Sequence, residues 1–332
     1  MKVLRNEQLQ SHTTFGVYAN ADAFIVYDSE QELRDLLKQN LPNIYSIGEG
    51  ANLLFLSDFH GTLLHSNILG IECIREEDDF VILRVGAGEI WDEFVQYCVK
   101  NDLFGAENLS LIPGSVGATP VQNIGAYGVE AKDLIFAVEC VDRNGNMVLL
   151  NNEQCCFGYR DSAFKRFWSN DYIVTRVHFR LSRIPRWKLD YGSIRQSLND
   201  VPLTLDNVRQ AIIKTRQSKL PDPAVLGNAG SFFKNPVVSL SFFLELQKRL
   251  NLDIPHYNLP NSQVKIPAAF LIERCGWKGR SLGSAAVHDR QPLVLVNKGN
   301  ATGNDILRLC QSIQSDVKHI FNIDLKPEVI FL

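Results

Sequence analysis

The chain has 332 residues, with 34 Lys and Arg against 37 Asp and Glu, 45% apolar residues and 21% charged ones. That length is worth about two domains and can bury a full core without disulfide or metal staples, and the composition excludes collagen, coiled coil and wholesale disorder. No apolar run approaches the roughly 20 residues of a membrane span. The start, MKVLRNEQLQSHTTFGVYAN, lacks the apolar stretch of a secretory signal, and seven cysteines without a C-x-x-C argue against a disulfide framework or a zinc site. The chain reads as soluble and cytoplasmic.

In chain order, Phe24 to Tyr27 reads as a short strand, and Ser29 with Glu32 forms a capping box for a helix that buries Leu33, Leu36 and Leu37. Tyr45 to Ile47 and Leu53 to Leu56 are further strands, separated by Gly48-Glu49-Gly50-Ala51-Asn52. Strand Phe80 to Val85 precedes a helix with Trp91, Phe94, Val95, Cys98 and Val99 on one face. Leu111 to Glu130 is crowded with glycine and has no sustained period, which in a compact domain points to a functional loop. A hairpin is expected from Leu134 to Val141 and Met147 to Leu150 around Asn144-Gly145. Ile173, Thr175, Val177, Phe179 and Leu181 then alternate with Arg176, His178 and Arg180, as in a strand whose polar face meets water.

From Asp206, which can cap a helix carrying Val208, Ala211 and Ile212, the pattern is mostly helical. Ser239 to Leu250 and Ala268 to Cys275 are further helices, and strand Leu293 to Val296 leads into a helix with Ile306, Leu309, Cys310, Ile313, Val317 and Ile320 on one side. Glu328 to Leu332 is a final strand. The class is α+β in three modules. Charge is uneven: residues 206 to 321 hold 15 Lys and Arg against 8 Asp and Glu, which is either a module that meets an anionic ligand or a drift of surface charge. The dispersed basic residues carry no nucleic-acid signature.

Gly48-Glu49-Gly50-Ala51-Asn52 lacks the third glycine of the dinucleotide fingerprint and lies between two strands, so a Rossmann domain is disfavoured. It is either an ordinary turn or a set of bare N–H groups for phosphate oxygens. In the long loop, Gly114, Gly117, Gly125 and Gly128 admit close approach, and Ser115, Gln122 and Asn123 offer neutral hydrogen-bonding groups, a combination suited to a large polar-edged cofactor. In Phe157-Gly158-Tyr159-Arg160-Asp161-Ser162 the guanidinium can hold a carboxylate or a developing enolate, or simply pair with Asp161. Gly227-Asn228-Ala229-Gly230-Ser231-Phe232-Phe233-Lys234-Asn235-Pro236 puts a serine on a glycine-flanked bend. It is not G-x-S-x-G, but a serine near Lys219 can hand over a proton. No histidines stand at metal-ligand spacing. His178 is expected on a solvent face, and His288 in a structural turn.

Together, IGEGANLLF, IPGSVGATPVQNIGAYGVE, FGYRDSAFK, KLPDPAVLGNAGSFFKNP, GSAAVH with LVLVNKGNATG, and the terminal PEV resemble one family closely, the UDP-N-acetylenolpyruvoylglucosamine reductases. Tyr191 in LDYGSIRQSL resembles the tyrosine of the longer, type I branch, on a loop near 186–198. The resemblance implies a three-module flavoprotein with a two-part, vanillyl-alcohol-oxidase-like FAD cradle. Residues 1–68 with 322–332 form the first FAD module, 69–205 the second, and 206–321 the UDP-sugar domain.

The resemblance further implies non-covalent FAD, NADPH as co-substrate, UDP-N-acetylglucosamine enolpyruvate as substrate, no metal, and a monomer. Arg160 and Glu328 correspond to the pair on the substrate carboxylate, with Glu328 protonated or sharing a proton, and Ser231 to the proton donor, with Lys219 or hydrogen bonding to assist it. Tyr159, Tyr191, Lys219, Asn235, Tyr257 and Gln291 match substrate contacts. Gly48, Gly50, Ala51, Asn52, Ser115, Gly125 and Arg216 match the FAD shell. Ala51 stands where serine is common, which removes a hydroxyl near the FAD phosphates, and Ile330 stands where many members carry arginine. Two rivals remain: an oxidase with a covalently tethered flavin, and a nucleotide-sugar binder without flavin, against which the joint retention of Arg160, Ser231 and Glu328 argues.

Overall fold

The computed structural model describes residues 1–168, 171–191 and 194–332. Residues 192 and 193, in the loop expected around Tyr191, lie outside the described residues. The chain forms two compact units: Met1–Glu7, Ala21–Gly50 and Phe59–Ser218 make the first, and Gln8–Asn20, Ala51–Asp58 and Lys219–Leu332 the second.

In the first unit, one sheet runs in the order Lys2–Gln8, Asn20–Tyr27, Phe59–Ser66, Ile44–Ile47, with the last three strands parallel. The helix Glu30–Leu37 covers it, burying Leu33, Leu36 and Leu37 among Ile25, Tyr27, Ile44 and Leu64. Its start is half of the expected capping box. Ser29 Oγ accepts from Glu32 N at 3.2 Å, but the Glu32 carboxylate accepts from Asp28 N, one residue too early. A second, antiparallel sheet runs Met147–Asn151, Ile135–Asp142, Tyr172–Ser182, Phe80–Gly86, Ile71–Glu76. The helix Trp91–Lys100 supplies its core: Trp91, Phe94 and Cys98 pack with Leu83, Val177 and Phe179, and Trp91 Nε1 donates to Leu109 O at 2.9 Å.

The polar face of Tyr172–Ser182 corrects the sequence reading. His178 is only 7% exposed, with Nε2 2.6 Å from Glu139 Oε1. Glu139 is also held by Arg84 through two bonds of 2.6 and 2.7 Å, and Arg176 donates to Glu30 at 2.7 Å. Arg180 alone stays exposed, stacked over Phe80. Alternation reports which side of a strand a residue is on. It does not report that neighbouring strands and a helix will supply counter-charges there.

The helix Leu205–Lys219 buries Leu205, Val208, Ala211 and Ile212, the last three packed with Leu189, Ile194 and Leu198. Its cap is Thr204, whose Oγ1 accepts from Asn207 N at 3.2 Å, and Asp206 lies inside the first turn instead of capping it.

The second unit contains a four-stranded antiparallel sheet in the order Asn228–Ser231, Val294–Asn297, Ala285–Val287, Ser281–Leu282. The helix Gly303–Phe321 begins with a full capping box between Thr302 and Asp305 and buries Ile306, Leu309, Cys310, Ile313 and Val317. Ile320, expected on that stripe, is 37% exposed, and Phe321 is buried in its stead. A three-stranded sheet (Val237–Ser239, Gln263–Lys265, Tyr257–Leu259) and the helices Leu240–Leu250 and Ala268–Arg274 complete the unit, with Leu53–Leu54 parallel to Ile330–Phe331. Among the described residues no helix is long and apolar enough to cross a membrane.

Candidate active site

The long loop of the first unit is ordered by its amides. It forms short turns at Val116–Ala118 and Thr119–Gln122, then a two-residue hairpin of Gly125–Ala126 with Val129–Glu130. Asn123 is fully buried, donates to Gly158 O at 2.7 Å and to Glu130, and accepts from Lys132 N at 3.0 Å. Ser162 Oγ donates to Val121 O. These bonds tie the loop to the segment that carries Arg160.

Arg160 does not pair with Its guanidinium donates to Gly125 O and lies over the Tyr159 ring, 5.4 Å from the centroid. Its backbone sits at φ +53, a left-handed conformation that costs a non-glycine residue about 1–2 kcal/mol. Such outliers persist where the surroundings over-determine them and cluster at functional sites.

Arg216, two turns beyond Arg209 on the Leu205–Lys219 helix, has a buried Nε with no hydrogen-bond partner. Burial pushes its guanidinium below the ordinary arginine value. Tyr127 and Asp92 oppose that shift, and Arg160 adds to it. A buried N–H of a cation is costly to leave unpaired, so the place suits an acceptor that the chain does not supply. Nearby, Tyr127 meets Tyr191 edge to face at 6.2 Å, and Asn108 Nδ2 bridges Tyr127 O and Lys188 O. Elsewhere in the unit, a Cβ on Gly48 would lie 2.6 Å from Ser115 Oγ, so this turn needs glycine to bring backbone against the buried Ser115. Gly50 is buried in the same turn. A bare turn, neutral donors and an orphaned guanidinium N–H fit the donor set that a cofactor with phosphates and a polar-edged ring requires.

The second unit brings Ser231 and Glu328 onto one peptide. Ser231 ends its strand opposite Val294, and Phe232 N donates to Leu293 O at 2.7 Å. Phe232 O accepts from Glu328 N at 2.7 Å, Lys234 N donates to Lys326 O, and Phe233 bridges Pro327. The hydroxyl and the carboxyl therefore flank the buried Phe232. Asn52, expected in the FAD shell, clamps this segment: its Nδ2 donates to Glu328 O at 3.1 Å and its O accepts from Ile330 N at 3.0 Å. Ala51 O accepts from Thr14 Oγ1.

The expected substrate residues of this unit have separate structural settings. Asn235 Oδ1 accepts from Ala268 N at 2.9 Å, at the start of a helix. Gln291 closes the turn before Val294, through its backbone O and through Oε1 to Leu293 N. Tyr257 is exposed with the Lys265 ammonium over its ring, and Lys219 is exposed at a helix end.

Residues 222–332 match the family model of the UDP-N-acetylenolpyruvoylglucosamine reductase C-terminal domain, and residues 21–151 that of an FAD binding domain. The UDP-N-acetylenolpyruvoylglucosamine reductase of Bacteroides fragilis is 50% identical over 328 residues, covering 98% of each chain. Those of Chromobacterium violaceum (46%, covering 98% of this chain and 97% of the relative) and Porphyromonas gingivalis (44%, covering both fully) are comparably similar. The chain belongs to the UDP-N-acetylenolpyruvoylglucosamine reductase family. The crystal structure of such a reductase from Thermus caldophilus matches with a TM-score of 0.71 at 23% identity, over 99% of this chain and 98% of that one, a likeness of fold.

Against this family background, two groups of residues were not singled out from the sequence. Asp92 accepts two bonds from the buried Arg209, at 2.7 and 2.8 Å, and one from Leu111 N, and so fixes the helix of Arg216 to the start of the long loop. Asn228 and Asn297, both buried, brace the strand of Ser231. The Asp92–Arg209 pair leaves no local signal, because its partners lie 117 positions apart. The asparagine two residues before Gly230 does leave one: it is the pattern of a side chain that bonds its own backbone two residues on.

Proposed function

We propose that the protein reduces UDP-N-acetylglucosamine enolpyruvate to UDP-N-acetylmuramate in peptidoglycan precursor synthesis, using NADPH and a non-covalently held FAD. Family membership and the FAD binding domain make it an FAD-containing oxidoreductase of peptidoglycan synthesis. When bound, the flavin supplies the means of passing a hydride from NADPH to the alkene. The observation that carries the reading is the pairing of Ser231 and Glu328 about Phe232.

Reduction of an enolpyruvyl alkene needs a hydride at the terminal carbon and a proton at its neighbour, through an enolate on the carboxylate side. Arg160, which cannot deprotonate, holds and neutralises the substrate carboxylate. Glu328, protonated or sharing a proton, polarises the same group. Ser231 Oγ–H delivers the proton to carbon, assisted by hydrogen bonding or by Lys219. Tyr159, Tyr191, Asn235, Tyr257 and Gln291 orient the sugar nucleotide, with Tyr191 closing over it as in the type I branch. Gly48, Gly50, Ser115, Gly125 and Arg216 are the proposed FAD contacts in the first unit, and Ala51 and Asn52 those in the second. The three-module division, with residues 206–321 as the sugar domain, the monomeric state and the cytoplasmic location belong to the same proposal.

Anaerobic absorbance titration of the flavin-loaded protein tests it. NADPH is expected to bleach the flavin band, and the enolpyruvyl sugar to restore it fully. Bleaching without recovery would reject the substrate. Flavin that stays attached on denaturation would favour the tethered oxidase.

A further inference from the structure

We infer that Asn228 is the positioning residue for the proton-donating serine, an assignment that rests on the functional reading above. Ser231 does not continue a regular strand. Asn228 lies opposite Val296 and Ser231 opposite Val294, so three steps on one strand face two on the other. This is a bulge, the device that re-aims a side chain beside a site. Gly230, at φ +65, supplies its left-handed residue.

The Asn228 side chain closes that bulge. It is 2% exposed and uses both of its donors and its acceptor. Nδ2 donates to Leu226 O at 2.8 Å and to Pro221 O at 3.2 Å, while Oδ1 accepts from Gly230 N at 2.9 Å. Its own N donates to Thr14 O at 2.9 Å. One amide thus ties the approach to the strand, the bulge and the residue before Ser231, and from the far side Phe232 N is held by Leu293 O. Asn297 reinforces the arrangement, with its N on Gly227 O at 2.8 Å and its Nδ2 on Phe15 O at 3.0 Å. A residue needed only to fill space here would be apolar, because a buried amide is tolerated only when its groups are paired. The pairing that this amide makes defines the direction of the Ser231 hydroxyl.

The test separates the two half-reactions. In Asn228→Ala, bleaching by NADPH persists near the parent rate and affinity for the enolpyruvyl sugar is retained, while sugar-dependent recovery slows by about 100-fold. The solvent deuterium effect on recovery grows, because proton delivery becomes the slow event. Asn228→Asp keeps the acceptor for Gly230 N but can donate to Leu226 O only when protonated. Its recovery rate therefore falls as pH rises through the new carboxyl, a limb absent from the parent, and this variant carries the test if the alanine variant does not fold. Recovery at the parent rate in both variants, or equal slowing of bleaching and recovery, would overturn the assignment. A parent protein that bleaches but never recovers with the sugar rejects the functional reading, and the positioning role with it.

Discussion

Two polar networks in this protein are built by opposite means. On the sheet of the first unit, Glu139 collects two cations, Arg84 and His178, in a largely buried ionic cluster. On the strand of Ser231 in the second unit, Asn228 and Asn297 do the fixing with neutral amides. Burial alone would push the Glu139 carboxyl up, but hydrogen bonds from Arg84 and His178 outweigh it and hold the group down at about 2. The ionic network therefore makes stability depend on pH, whereas the amide network carries no charge to titrate. Geometry beside a proton donor is better fixed by groups whose own protonation does not change while the donor works.

The sharpest break of this comparison is Ser231→Ala. Flavin reduction by NADPH is expected to survive and sugar-dependent reoxidation to fall by about 1,000-fold, measured by rapid mixing. Loss of both halves alike would contradict the proton-donor role. The variant should melt near the parent temperature, since Ser231 is exposed and the amide network beside it is intact.

Glu139→Gln breaks the other side. Removing one partner from a buried ionic cluster costs about 3 kcal/mol, read as a lower urea midpoint at neutral pH with the half-reactions preserved in the folded fraction. The pH dependence has a definite sign. A carboxyl depressed on folding stabilises the native state above its unfolded value, about 4.3 for glutamate, and that stabilisation is lost as pH falls toward about 2. The parent midpoint is expected to drop across this window and the Glu139→Gln midpoint to change much less. Parallel curves would remove Glu139 from the account of acid stability.

These two networks also mark how much was legible in the sequence. The Trp91 and Gly303 helices, the hairpin at Asn144-Gly145 and the core alternation of Tyr172–Ser182 follow from local period and capping, and the structure has them. His178 was misplaced because its partner, Glu139, lies on a different strand, and strand pairing is not written in either segment alone. Thr204 caps where Asp206 was expected, since both are good caps two residues apart and tertiary packing picks the register. The site residues were named by resemblance of motifs. What the motifs leave out is the scaffolding of each residue: the left-handed Arg160, the bulge before Ser231, and Asn52 on the backbone of Glu328.

The smallest expected effect tests a place where this chain departs from its relatives' pattern. Ala51 offers only backbone, and its carbonyl is engaged by Thr14 Oγ1 at 3.3 Å. A serine there would add one hydroxyl without disturbing that bond, since the residue is half-buried and its carbonyl stays in place. One added hydrogen bond contributes about 1 kcal/mol, or roughly fivefold in affinity. Ala51→Ser is therefore expected to tighten FAD binding by a few-fold in a fluorescence titration of the flavin-free protein, with the rates of both half-reactions unchanged. An unchanged FAD affinity would remove Ala51 from the proposed flavin shell. A changed reoxidation rate at constant affinity would instead couple this turn to Glu328, whose carbonyl the adjacent Asn52 holds.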